Sequence, residues 1–247
     1  MTRNLKLKLN IKDDELKAIN KKIKPIISKK ITKRECGIYC IPKELFSEDK
    51  KVSDEIRYEI EVKNKNVSTK LIKKSIDPKI GTDVKYKDYK RIVIIIESPH
   101  RDEYDDDFKP IGPAQGKTGD MIKSNIENII KLFNITDGKY ILIISNPVQF
   151  QASLGSFYDN GLHKSIRNNV WSALYKICKE DFIKRLEIYE PDYILNATTA
   201  GRKYRVNKAI KTVKSIGNKK NQELKESYHP SFWNNGEITM KKNNKNK

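Results

Sequence analysis

Four polar side chains stand where apolar runs of the sequence stop. Glu97 closes "RIVIIIE" (91–97), Asn146 follows "YILIIS" (140–145), Asn196 lies in "YILNA" (193–197), and His229 falls in "LKESYHP" (224–230). Carboxylate, imidazole and amide groups can between them orient a water, carry a proton and hydrogen-bond a polar ligand. A continuous β-branched run suits a strand buried on both faces of a parallel sheet. In such sheets the active groups gather in the crevice beyond the C-terminal strand ends. The same arrangement at four strand ends points to one site assembled from several loops.

The segments between these strands have helical spacing. "TGDMIKSNIENIIKLF" (118–133) repeats apolar residues at Met121, Ile122, Ile126, Ile129, Ile130 and Phe133. "LHKSIRNNVWSALYKIC" (162–178) places Ile166, Val170, Leu174 and Ile177 on one stripe, and "DFIKRLEIYEPD" (181–192) continues the helix to Pro191. Strands alternating with helices over residues 89–236 predict an α/β domain. Residues 1–88 are lysine-rich and broken by "KPIIS", "IPKELF" and "DPKIGTD". They read as a basic N-terminal extension or small subdomain. Within it, 13–27 has the pattern of an amphipathic helix, and "IRYEIEVK" (56–63) alternates as a strand. Residues 237–247 end in the low-complexity "KKNNKNK" and read as a disordered basic tail.

The 247 residues carry 51 Lys+Arg against 32 Asp+Glu, a formal charge of +19. A surplus this large attracts a polyanion, with nucleic acid ahead of an anionic membrane. The lysine- and asparagine-rich composition of an AT-rich genome is the plainer source of the same excess. Three cysteines, Cys36, Cys40 and Cys178, make no disulfide framework, and no second pair completes a metal site around Cys36 and Cys40. No apolar run is long enough to span a bilayer and no signal-like core opens the chain, so a cytoplasmic protein is expected. The acidic run Asp102, Glu103, Asp105, Asp106 and Asp107 reads as a solvated loop, because consecutive carboxylates do not face one point without a specific turn.

Four blocks, in order, resemble the uracil-DNA glycosylase superfamily between about Arg91 and Trp233. "ESPH" (97–100) is similar to the first motif in its Gly-Glu-Ala-Pro-Gly form. "IGPAQGKTGDMI" (111–122) is similar to the Gly-x-Pro-Phe-x-Gly-x-x-Gly loop. "ISNPVQF" (144–150) resembles the strand that ends in a base-reading asparagine, and "SYHPSFW" (227–233) the His-Pro-Ser motif. The resemblance implies a three-layer α/β sandwich around a central, mostly parallel four-stranded sheet. It also implies N-glycosidic bond hydrolysis through an oxocarbenium-like sugar. Glu97 then orients water and stabilises the sugar cation. His229 stabilises the departing base, as an oxyanion hole does. Asn146 reads the flipped base, with Pro99, His100 and Ala114 beside it. Phe232 or Trp233 wedges the duplex, and Ser98, Gly116, Lys117, Gly119 and Ser231 meet the phosphates.

The sequence departs from the family in three places. Ala114 replaces the phenylalanine that stacks on the base, which removes roughly 1–3 kcal/mol of stacking and implies a wider pocket. His100 replaces a glycine or, in other subfamilies, a tyrosine that excludes 5-substituted pyrimidines. Phe150 stands where the iron–sulfur subfamily has a cysteine, so no cluster is expected. The expectation is therefore a monomeric, monofunctional glycosylase without metal or organic cofactor. Its DNA substrate would carry a modified pyrimidine, such as the glucosylated hydroxymethylcytosine of phage DNA that some members excise in bacterial defence. An ordinary uracil-DNA glycosylase of repair, a non-catalytic DNA-binding protein on the same fold and a metal-dependent nuclease are the rivals.

Overall fold

Six strands form one mixed sheet in the order β2-β1-β4-β3-β5-β6. In the computed structural model, which describes residues 46–76, 84–152, 163–216 and 222–240, they are β1 (Glu55–Lys63), β2 (Asn66–Ser75), β3 (Lys90–Ile95), β4 (Gly138–Ser145), β5 (Tyr193–Asn196) and β6 (Glu223–Glu226). The helices are α1 (Gly116–Ser124), α2 (Ile126–Leu132), α3 (His163–Tyr189) and α4 (Ala200–Ile216). Among the described residues, no helix is long and apolar enough to cross a membrane. The expected helix at 13–27, the Cys36 and Cys40 pair and the tail from 241 lie outside the described residues.

Strands β3 and β4 are apolar on both sides because both faces are covered. Val93, Ile95, Ile141 and Ile143 pack with Val170, Trp171, Leu174, Val206 and Ile210 of α3 and α4. Ile92, Ile94, Leu142 and Ile144 pack on the other face with Ile122, Ile126, Ile129 and Ile130 of α1 and α2. Period-2 alternation thus survives inside each run, hidden because both parities are apolar.

Strand β4 pairs parallel to β3, β3 to β5 and β5 to β6. Glu97, Asn146, Asn196 and His229 consequently leave the sheet at one edge. The sheet is not the four-stranded one expected, however. β1 pairs antiparallel with β4 on one side and with β2 on the other. Both lie in the stretch read as an extension, so the expected boundary at residue 88 cuts through the sheet. The strand signal in β1 is blurred by a register shift between Ile56 and Tyr58. Ile56 joins one core layer, and Tyr58, Ile60 and Val62 join the other. A bulge of this kind re-aims a side chain, here Arg57. β2 is exposed nearly throughout, with Lys70, Lys73 and Lys74 outward, which suits an edge guarded against pairing with another chain.

The single helix expected over 118–133 breaks at Asn125. Its Nδ2 donates to Met121 O and to Asn234 O, 2.9 Å each. The side chain thus competes with the helical ladder and ties the break to the segment after His229.

Candidate active site

Glu97, two residues beyond β3, is buried and held from three sides. Trp171 Nε1 donates to its backbone oxygen at 2.9 Å. Thr199 N donates to Oε1 at 2.6 Å, and Arg202 Nη1 pairs with Oε2. Burial alone would raise the carboxyl pKa. The Arg202 guanidinium, the Thr199 hydrogen bonds and His229 outweigh it and hold Glu97 below its ordinary value. Arg202 is fixed in turn by Asn168 Oδ1, by Thr199 Oγ1 at 3.0 Å and by the Trp171 ring beneath it. Glu97 is therefore a charged, oriented carboxylate with no freedom to swing.

His229 is brought into electrostatic contact with Glu97. Burial lowers its pKa, and Arg167 and Arg202 lower it further, against the opposing pull of Glu97. The ring is neutral near pH 7. Its Nδ1 accepts from Ser231 N at 3.3 Å and meets Ser231 Oγ at 2.9 Å. An accepting Nδ1 leaves the proton on Nε2, so Nε2–H is the free donor. Ser231 therefore orients the imidazole, and its hydroxyl and amide are engaged there instead of being offered to a phosphate.

Asn146, just past β4, is fully buried, and neither Oδ1 nor Nδ2 has a hydrogen-bond partner. An orphaned buried amide costs about 1–3 kcal/mol per group. Gln149 Oε1 is unpartnered as well, and the Asn146 amide has no accessible surface, so a base can meet it only if the surrounding side chains part. Its backbone is anything but orphaned: Asn146 N donates to Asp54 Oδ1 at 3.1 Å, and Asn146 O accepts from Arg185 Nη2 at 3.0 Å. Asp54 also accepts from Ser145 Oγ, Gln149 Nε2 and Tyr189 OH, and it pairs with Arg185. Sequence reading did not find this clamp. Asn196 has a different role. Its Nδ2 donates to Asn207 and its Oδ1 accepts from Thr198 N and Oγ1, so it braces the turn into α4.

The glycine loop is built by close contact. A Cβ on Gly119 would collide with Ala114 O, and one on Gly112 would lie 2.6 Å from Glu55 Oε2 at φ +124°. Arg57, redirected by the bulge, donates to the Pro113 and Ala114 carbonyls and pairs with Glu55. Ala114 has φ +51° and no exposed surface, and it packs in the cluster that contains Ile122, Ile126 and Trp233. Ala114 therefore has no water-accessible surface, and the described residues around it leave no wider pocket there. Gly116 and Lys117 are exposed at the start of α1 and Ser98 is half-buried, but the Asp102 carboxylate already stands 3.2 Å from where a Gly116 Cβ would be. Pro99 is buried. His100 is turned outward, 58% exposed, with Nδ1 3.5 Å from Asp102. Trp233 is core, with Nε1 donating to Tyr228 O at 2.8 Å, whereas Phe232 beside it is 67% exposed. Of these two neighbours, Phe232 is the one free to act as a wedge. Phe150 is buried edge-on to Phe46.

The acidic run dissolves into separate tasks. Asp105 caps Lys109 N and Asp107 pairs with Lys109. Glu103 turns inward and receives His100 N, so it ties the first motif to the glycine loop. Burial, reinforced by Asp102, pushes its pKa up to about 7 against the hydrogen bonds from His100, Gln115 and Ala114. A carboxyl that titrates at about 7 folded and 4.5 unfolded holds its proton more tightly when folded. Its contribution is complete below the unfolded value and is lost as pH rises through the folded one. Glu103→Gln is expected to flatten the fall in Tm between about pH 5 and about pH 8. An identical slope in wild type and variant would refute this role.

No protein-family model matches this chain, and no curated protein matches it in sequence.

Proposed function

We propose that this protein is a monofunctional DNA glycosylase that hydrolyses the N-glycosidic bond of a flipped, modified pyrimidine and leaves an abasic site. The observation that carries the reading is the pairing of an ionised, immobilised Glu97 with a neutral His229 whose Nε2–H is free. Fission of the C1′–N bond places positive charge on the sugar and negative charge on the base. Glu97 is suited to stabilise the first and to orient the water that bonds to C1′. His229 is suited to donate to the base oxygen where the second accumulates. The water oxygen bonds to C1′ as the C1′–N electron pair leaves with the base; the water's proton is lost to solvent, and the base anion takes up one proton in its place. The unpartnered amide of Asn146 supplies one donor and one acceptor for a pairing edge, and Phe232 can fill the gap left in the stack. The strand-end motifs and the +19 charge support the uracil-DNA glycosylase resemblance, whereas the six-stranded mixed sheet departs from the four-stranded one that it implies.

Among pyrimidines, a 5-modified one is favoured by His100. The side chain at the position that bars 5-substituents elsewhere in that superfamily faces solvent here. Ala114 lends the idea no support. The glucosylated hydroxymethylcytosine of phage DNA is the first substrate to test, and uracil is the alternative.

The purified protein, with EDTA present, is incubated with phage DNA bearing glucosylated hydroxymethylcytosine and with a uracil-containing duplex. Alkali then reveals abasic sites. Cleavage of the phage DNA alone is the expected result. Cleavage of the uracil duplex alone would return the protein to repair, and intact DNA in both, with tight binding, would make it a binding protein.

A further inference from the structure

We propose that the outer face of α4 is a track for the sugar–phosphate backbone of DNA leaving the site, with Tyr204 stacking on a nucleotide beside the extruded one. Helix α4, "AGRKYRVNKAIKTVKSI", contains no acidic residue, whereas α3 mixes its cations with Glu180, Asp181 and Glu187. The two faces of α4 divide the cations by role. Inward, Arg202 reaches Glu97 and Lys203 Nζ donates to Ser227 O, while Val206, Ala209, Ile210 and Val213 enter the core. Outward, Gly201, Tyr204, Arg205, Lys208 and Lys211 are exposed along one stripe.

A lysine-rich protein shows solvated lysines everywhere, so a basic face alone would mean little. Three further observations single this one out. Arg205, Lys208 and Lys211 are spaced at i, i+3 and i+6, and none has an ion-pair partner among the described residues. Like charges at that spacing weaken a helix, a cost that a bound polyanion reverses. Tyr204 leaves 63% of its surface in water, with Lys208 Nζ 4.6 Å from its ring centre. A ring held beside a cation matches a nucleotide's base and phosphate together. The stripe also starts at the chemistry. Thr199 and Arg202 hold Glu97, and Lys203 holds the carbonyl two residues before His229. A Cβ on Gly201 would meet nothing within 4 Å, so the first turn is open to close approach.

The inference deepens the glycosylase reading, but its test measures binding alone and survives if no base is ever released. Two triple variants remove the same charge: Arg205→Ala/Lys208→Ala/Lys211→Ala on α4, and Lys176→Ala/Lys179→Ala/Lys184→Ala on the exposed side of α3. Affinity for a plain duplex and for the same strand alone is measured across a salt series, with thermal unfolding as the check on folding. The α4 variant is expected to lower the slope of log K against log salt by about 2–3, since each phosphate contact contributes about 0.9. The α3 variant should track wild type. Tyr204→Ala is expected to weaken single-strand binding by about tenfold with the slope unchanged. Equal losses from both triples would show bulk charge at work and overturn the proposal, as would an α4 variant that binds like wild type. If excision is found and the α4 variant binds normally, the track fails and the enzyme stands.

Discussion

Glu97→Gln is expected to slow single-turnover base excision by about 10²–10⁴-fold while DNA affinity stays within about threefold of wild type, because a base-reading amide and a phosphate surface do not involve this carboxylate. The substitution keeps the side-chain shape and an oxygen for Thr199 N, but it removes the charge and turns an NH2 donor towards Arg202 Nη1. That charge is the part of the site most heavily prepared. A free carboxylate would need no arginine. Here Arg202 is buried in order to meet Glu97 and is braced by Asn168, Thr199 and Trp171. Both oxygens of Glu97 are engaged, so it is a poor proton acceptor and a good fixed anion. Stabilising a sugar cation needs the second more than the first. A non-catalytic binder of the same fold would show no change in either measurement, and a rate within about threefold of wild type would remove Glu97 from the chemistry. Because the amide that replaces the carboxylate leaves Arg202 without its counter-charge, thermal unfolding is measured alongside to separate a lost rate from a lost fold.

How much of this was legible in the sequence follows from how local each signal is. β3, β4 and β5 announced themselves because a strand covered on both faces must be apolar at every position. Glu97 and His229 were found for the same reason, as polar residues ending such runs or lying in a motif. β2 gave no signal: its residues are nearly all exposed, and only the pairing of β1 with both β2 and β4 makes it a strand. The Asp54–Arg185 pair spans 131 positions, and no pattern in either segment refers to the other. Phe232 and Trp233 are neighbours of similar type, and one turn of backbone decides that the second is core and the first is exposed. Ala114 misled because a missing ring is not a missing volume. Ala114 packs in one cluster with Ile122, Ile126 and Trp233, and its methyl group has no exposed surface. A lost side chain enlarges a pocket only when the backbone around it stays where it was.

Asp54→Ala is expected to destabilise the fold by about 3–5 kcal/mol, the usual consequence of leaving one member of a buried ion pair alone. Asp54 is almost wholly enclosed, and its two oxygens collect Ser145 Oγ, Tyr189 OH, Arg185, Asn146 N and Gln149 Nε2. Burial alone would drive the Arg185 pKa down, yet Asp54, Tyr189 and Asp181 drive it above its ordinary value. Arg185 thus stays charged in the core and cannot adapt by losing its proton. Urea unfolding measures the loss. Arg185→Met should cost a similar amount, and the double variant clearly less than the two together, because neither partner is then left as an uncompensated charge. Strict additivity would mean that the two side chains stabilise the fold separately and do not act as a pair. The clamp also fixes Asn146 at N and O. In variants that remain folded, excision is therefore expected to fall through KM and kcat together, since the base-reading amide loses its place before the carboxylate and the imidazole lose theirs.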